Sequence, residues 1–247
     1  MVKATAIVQN IPIMGRMFKV DTSTGLEEIN SWPALMILAS FIWLAVAGLL
    51  GVAMPLIQML GLDTDLYYTA LTAHGAALAF PFTFQLMVGV GLHRPAGCVG
   101  KPLTGFFPAA IFIFMNLGAA LLTVAILGGL SISLVVMYPL PIVGVQTGQW
   151  AMWTVVLGFS GIALVLITMI ALYPITVIRM LFFGDKRQDL LLSERSLKDP
   201  GMLGMILSAL TLLIAGLPLL VVASAVLLFL YGILPFAWIA WAAEPVV

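Results

Sequence analysis

The chain has 247 residues, 63% of them hydrophobic and 8% charged, with ten Lys and Arg balanced by ten Asp and Glu. That composition lies outside the range of soluble globular domains, and the apolar runs are longer than a bilayer crossing needs, so the chain reads as a polytopic membrane protein. The lipid bilayer is its solvent, and no nucleic-acid partner is expected. Cys98 is the only cysteine; this excludes a disulfide within the chain and a cysteine-based metal site, and leaves a bystander thiol in a loop.

Residues 1–32 carry scattered charges and one short apolar run, Ile11 to Met14, with no apolar core followed by a small-residue cleavage site. They read as a cytoplasmic N-terminal segment rather than a cleavable signal. Five apolar windows follow, at 33–58, 67–92, 104–136, 150–181 and 203–231. The stretch from Gly232 to Glu244, interrupted by Pro235 and holding Trp238 and Trp241, reads as an interfacial extension with an aromatic anchor. The expected fold is therefore all-α: a five-helix transmembrane domain over 33–247, with no internal repeat and no soluble domain.

The basic residues orient it. Lys3, Arg16 and Lys19 precede the first window, Arg94 and Lys101 separate the second from the third, and Arg179, Lys186, Arg187, Arg195 and Lys198 lie between the fourth and fifth. Five crossings put all ten on one side. The positive-inside rule then places the N-terminus in the cytoplasm and the C-terminus outside, in the plasma membrane of a prokaryote. The opposite connection, between the third and fourth windows, carries no charge.

His74 stands near the start of the second window, in Tyr67-Tyr68-Thr69-Ala70-Leu71-Thr72-Ala73-His74-Gly75. An imidazole kept at lipid depth points to haem or metal ligation or to proton relay; the plainer alternative is a histidine that hydrogen-bonds to a neighbouring helix. It lies roughly 10 Å below the outer surface at 1.5 Å per residue. His93, the only other histidine, is nineteen residues on. That is roughly 28 Å of helix, too far for both to clamp one haem. His93 is expected to snorkel into the interface with no ligand role. Gly75 would relieve bulk beside a flat macrocycle or simply serve close helix packing, and Pro81 should kink the helix. Thr72 or a backbone carbonyl one turn away is the expected acceptor for the second imidazole nitrogen. Gln85, Asn116, Ser160 and Thr168 read as helix bridges, with a proton path as the alternative. The spans hold no central Asp, Glu, Lys or Arg, so the chain alone offers no ionisable relay.

The string around His74 resembles the second-helix signature of haem-copper oxygen reductase subunit I, and its doubled tyrosine is most similar to the B-type oxidases. Tyr138-Pro139-Leu140-Pro141 followed by Gly148-Gln149-Trp150 resembles the elements that close the third-to-fourth helix connection there. The basic stop after the fourth window and Leu234-Pro235-Phe236 also fit. The resemblance runs from about Trp32 to Val247 and implies that His74 is an axial ligand of a low-spin haem of b or a type. Tyr68, Thr72 and Gly75 would line that pocket, and Tyr138 would meet the haem propionates or an aromatic belt. The family's copper-ligand and high-spin haem histidines have no counterpart here, nor does the acidic residue after the second helix in the A-type branch: 92–103 holds none. The chain thus resembles the N-terminal part of a split subunit I, not catalytic alone. It implies a C-terminal partner that continues from Pro245-Val246-Val247 and brings the second axial ligand, copper and high-spin haem, and a subunit II-like chain for electron entry. Small residues such as Gly118, Ala119 and Gly161 are expected at the partner interface. The implied function is proton-coupled electron transfer to oxygen. A nitric oxide reductase-like subunit is the nearest alternative, and a haem-free transporter or assembly scaffold stands in a different class.

Overall fold

The computed structural model describes residues 10–21, 27–99, 102–130, 150–182 and 200–235. Among them are five helices long and apolar enough to cross a membrane: Ser31–Met59, Thr64–Gly97, Phe106–Leu127, Met152–Met180 and Pro200–Leu230, here spans 1 to 5. Helices suit these sequences because each satisfies its own backbone polar groups within the segment, which lipid cannot do.

Three boundaries differ from the hydropathy windows for local reasons. Span 2 begins earlier because the Asp63 carboxylate accepts the Asp65 N–H at 3.0 Å and caps the helix. It also runs on past Pro95, so its last helical segment, Gln85–Val99, includes Cys98 in helix rather than loop. Span 3 stops at Leu127 although the apolar run continues. Gly129, at φ +105°, turns the chain so that Leu130 N–H reaches Ala125 O and Gly129 N–H reaches Ile126 O, each at 3.0 Å. That is a glycine-closed helix end, invisible to a hydropathy window. Span 5 closes the same way at Gly232, φ +72°. The expected continuation of span 3 past 130, and the aromatic extension from Phe236 through Trp238 and Trp241, lie outside the described residues.

Two spans are interrupted by π turns next to proline: Leu78–Phe84 around Pro81 in span 2, and Thr168–Leu172 before Pro174 in span 4. Proline has no N–H to give and its ring crowds the carbonyl four residues back, so widening the helix removes the clash. In span 2 the Thr83 hydroxyl donates to Leu78 O at 2.7 Å, satisfying a carbonyl of the widened turn.

The N-terminal segment departs from the all-α expectation. A short helix, Pro12–Met17, leads into strands Lys19–Asp21 and Glu27–Ile29, paired antiparallel with Val20 opposite Glu28. Phe18 and Val20 are buried on one side of the strand while Lys19 is exposed, the period-two pattern of a half-buried strand.

Packing divides the chain into two units. The first comprises Met1–Ser40, Phe84–Ile113 and Ile167–Leu217. In it Phe18 packs with Ala34, and the buried Asn30 accepts Leu103 N–H at 2.9 Å while its own N–H donates to Phe18 O at 2.8 Å. Arg179 lies over the Phe107 ring, 4.5 Å from its centre. The second comprises Phe41–Thr83, Phe114–Leu166 and Pro218–Val247. One of its cores joins Ala73 and Ala76 of span 2 to Leu122 and Ile126 of span 3, flanked by Leu50 and Ile162; another joins Ala125, Leu130, Trp150, Val155 and Leu230.

Gly118 and Gly161 belong to this second unit and not to an interface with another chain. A Cβ at Gly118 would sit 2.6 Å from Gly161 O, and one at Gly161 would sit 2.5 Å from Gly118 O. Ala119 is likewise buried within the chain. The small residues bring spans 3 and 4 into backbone contact, the packing that replaces the hydrophobic effect between helices in lipid.

Candidate functional site

His74 occupies the fourth turn's start in Thr64–Ala77, the helical segment that opens span 2. Its half-buried ring reaches across to span 1, where Nδ1 lies 2.8 Å from Ala47 O. A carbonyl only accepts, so Nδ1 carries the proton and donates it. Nε2 is the ring nitrogen directed away from Ala47. The bond orients the imidazole, with one ring nitrogen anchored and Nε2 the one a metal could take.

Gly51 makes this approach possible. A Cβ there would stand 3.1 Å from His74 Cε1 and 3.2 Å from Nδ1. Ala47 and Gly51 are four apart, so both face span 2 on one side of span 1. Neither was singled out by the motif reading; the signal was the small-xxx-small spacing Ala47-Gly48-Leu49-Leu50-Gly51.

The expected pocket residues distribute unevenly around His74. Thr72 is buried but is not the imidazole's acceptor: its hydroxyl donates to Tyr68 O at 2.8 Å within its own helix. Two residues correspond to about 200° of helix, which sets Thr72 on a different face from His74. Tyr68 is exposed and meets the edge of Tyr67, ring centres 5.5 Å apart. By helical period Tyr67, seven residues back, shares the face of His74, whereas Tyr68 does not. Gly75 is half-buried beside the histidine. Tyr138, with Tyr138-Pro139-Leu140-Pro141, lies outside the described residues.

His93 differs in kind. It does not snorkel outward: its half-buried ring packs on Phe18 with centres 4.7 Å apart, Nδ1 lies 3.4 Å from Asn30 Nδ2, and the ring also bonds the Met17 backbone. These contacts fasten the N-terminal hairpin to span 2.

Two of the other intramembrane polar residues are bridges. Trp43 Nε1 donates to Asn116 Oδ1 at 3.1 Å, joining spans 1 and 3, and Ser160 Oγ lies 3.1 Å from the Tyr231 hydroxyl while donating to Val156 O. Thr168 is buried at the start of its π turn. Gln85 is buried with neither amide atom hydrogen-bonded among the described residues. No group of three His, Cys, Asp or Glu side chains able to hold a metal ion occurs among the described residues. His74 offers a single nitrogen donor, a number that would suit one side of a haem iron whose other ligand came from elsewhere. Comparison of the chain with protein-family models, with curated proteins and with solved structures finds no match.

Proposed function

We propose that this chain is a subunit of a haem-copper terminal oxidase, the N-terminal part of a split subunit I, and that His74 supplies one axial ligand of its low-spin haem. The carrying observation is the anchoring of His74 in the second of five spans, with Nδ1–H on Ala47 O and Nε2 directed away from it. Bound there, the haem would supply one-electron transfer. The chain's own part is to orient the imidazole, through Ala47 and Gly51. Tyr67, Tyr68 and Gly75 stand at the rim of that reading, and Tyr138 enters it from the sequence alone. The second axial ligand, the copper and the high-spin haem come from a partner membrane chain, because this one has only two histidines and His93 is engaged elsewhere. A subunit II-like chain delivers electrons from the outer face, and protons are taken up from the cytoplasm, the side that the basic residues assign to the N-terminus.

The bond to Ala47 also favours a second reading, in which His74 is only a clasp between spans 1 and 2 in a haem-free membrane protein. Such a bond contributes about 0.6–2 kcal/mol. The two readings separate in one measurement. In the purified complex, His74→Ala should abolish the low-spin haem absorbance while the polypeptide remains inserted, and His93→Ala should leave the spectrum intact. An undiminished low-spin signal in His74→Ala, or no haem in the unaltered complex, rejects the ligand role and leaves the clasp.

A further inference from the structure

Within the first unit, the Gln85–Val99 segment of span 2, the second half of span 4 and the first half of span 5 enclose a cavity of about 330 Å³. Met87, Met169 and Met205 line it together with Leu86, Val90 and Leu212. Its polar members, Tyr173 and Ser208, bond to each other, and Ser208 also donates to Met205 O at 2.9 Å. The surface met by an occupant is therefore hydrocarbon and thioether, and the unbranched methionines can adjust to a flexible guest.

Depth narrows the occupant. Gly91 lies six residues before Gly97, and Met205 five after Pro200, so the cavity begins roughly 8 Å inside one end of these spans, at acyl-chain level. It opens outward between Met87 and Val90, which are 55% and 49% exposed.

The end nearest the cavity is basic. Arg94 is one turn beyond Val90 on the same exposed stripe, and Arg179 follows Tyr173 on span 4; both are exposed. Arginines at the edge of a membrane cleft recognise phosphate through their forked donors. We propose that the cleft is a phospholipid site: one acyl chain lies along Met87, Met169 and Met205, and the phosphate of an anionic headgroup is held by Arg94 and Arg179. This does not depend on the haem reading.

The test uses the full chain in phosphatidylcholine nanodiscs containing a minor fraction of either phosphatidylglycerol or phosphatidylcholine with a diazirine in its acyl chain. After photolysis, peptides bearing Met87, Met169 and Met205 should be labelled preferentially by the anionic lipid, and Arg94→Gln or Arg179→Gln should each lower that preference about fivefold. Met205→Trp, which fills the cavity, should remove the label at these positions. Equal labelling by both lipids, label spread evenly over exposed positions such as Leu49 and Ile214, or arginine variants without effect would each overturn the proposal. Should Met205→Trp fail to insert, the lipid preference of the unaltered chain and of the arginine variants still decides.

Discussion

The hydrogen bond between His74 and Ala47 O loads a carbonyl that, inside a helix, already serves the N–H four residues on. A side chain at residue 51 would crowd the imidazole, with even a Cβ 3.1 Å from Cε1 and 3.2 Å from Nδ1. Gly51→Val should therefore push the imidazole off Ala47 and leave Nε2 misdirected. Loss of such an outer-shell partner lowers metal affinity about 10–100-fold, so haem retention in the complex should fall accordingly under dilution. Gly48→Val is the control, since a Cβ at Gly48 meets nothing within 4 Å. Equal haem loss in both variants would sink the positioning role. His74 was legible in the sequence because an imidazole stands out in an apolar run; its acceptor was not, because a backbone carbonyl leaves no mark on residue type. The same blindness affected His93, whose partners Asn30, Phe18 and Met17 lie more than sixty residues away in the chain.

Among whole elements, existence was legible and endings were not. Twenty or more apolar residues announce a span, but the stop of span 3 at Gly129 and the start of span 2 at Asp63 are set by one dihedral angle and one carboxylate. The hairpin before span 1 was hidden because three-residue strands carry too little alternation to read. Gly118 and Gly161 were picked out as close-contact residues, yet sequence could not say whose backbone they approach. With Cβ positions 2.6 and 2.5 Å from the opposing carbonyls, neither backbone can yield as a flexible side chain would. Gly118→Ala and Gly161→Ala should each destabilise the detergent-solubilised chain by about 1–3 kcal/mol. Because they share one contact, the double variant should cost less than the sum of the singles. Gly204→Ala, where a Cβ meets nothing within 4 Å, should be near neutral in the same unfolding assay. Additive losses, or glycine variants as stable as the parent, would show that spans 3 and 4 do not touch here.

At the level of the molecule, the basic residues predict which side each connection faces, and the single native thiol makes the test direct. Cys98 should resist a membrane-impermeant maleimide added to whole cells and react in inverted vesicles; the reverse pattern would invert the proposed orientation. Coverage of the spans raises the larger question of assembly. Spans 2, 3 and 4 each have 44% of their most apolar stretch buried within the chain, against 17% for span 1 and 11% for span 5. Span 1, one of the two little-covered helices, is also the one that holds His74 in place. Low-spin haem iron takes two axial ligands, of which the proposed reading gives this chain one. A partner that brings the second ligand would make the haem a bridge, stabilising the folded assembly by mass action, about 2.7 kcal/mol at a hundredfold excess over the dissociation constant. The expected outcome is that the chain produced alone is short-lived and spectrally silent, whereas co-production with the partner membrane subunit yields both chains and a six-coordinate haem in constant ratio. Absorbance per mole of chain after size separation measures this. A stable chain that carries stoichiometric six-coordinate haem by itself would instead require its second ligand to come from another copy of His74, and would replace the split-subunit reading with a symmetric cytochrome.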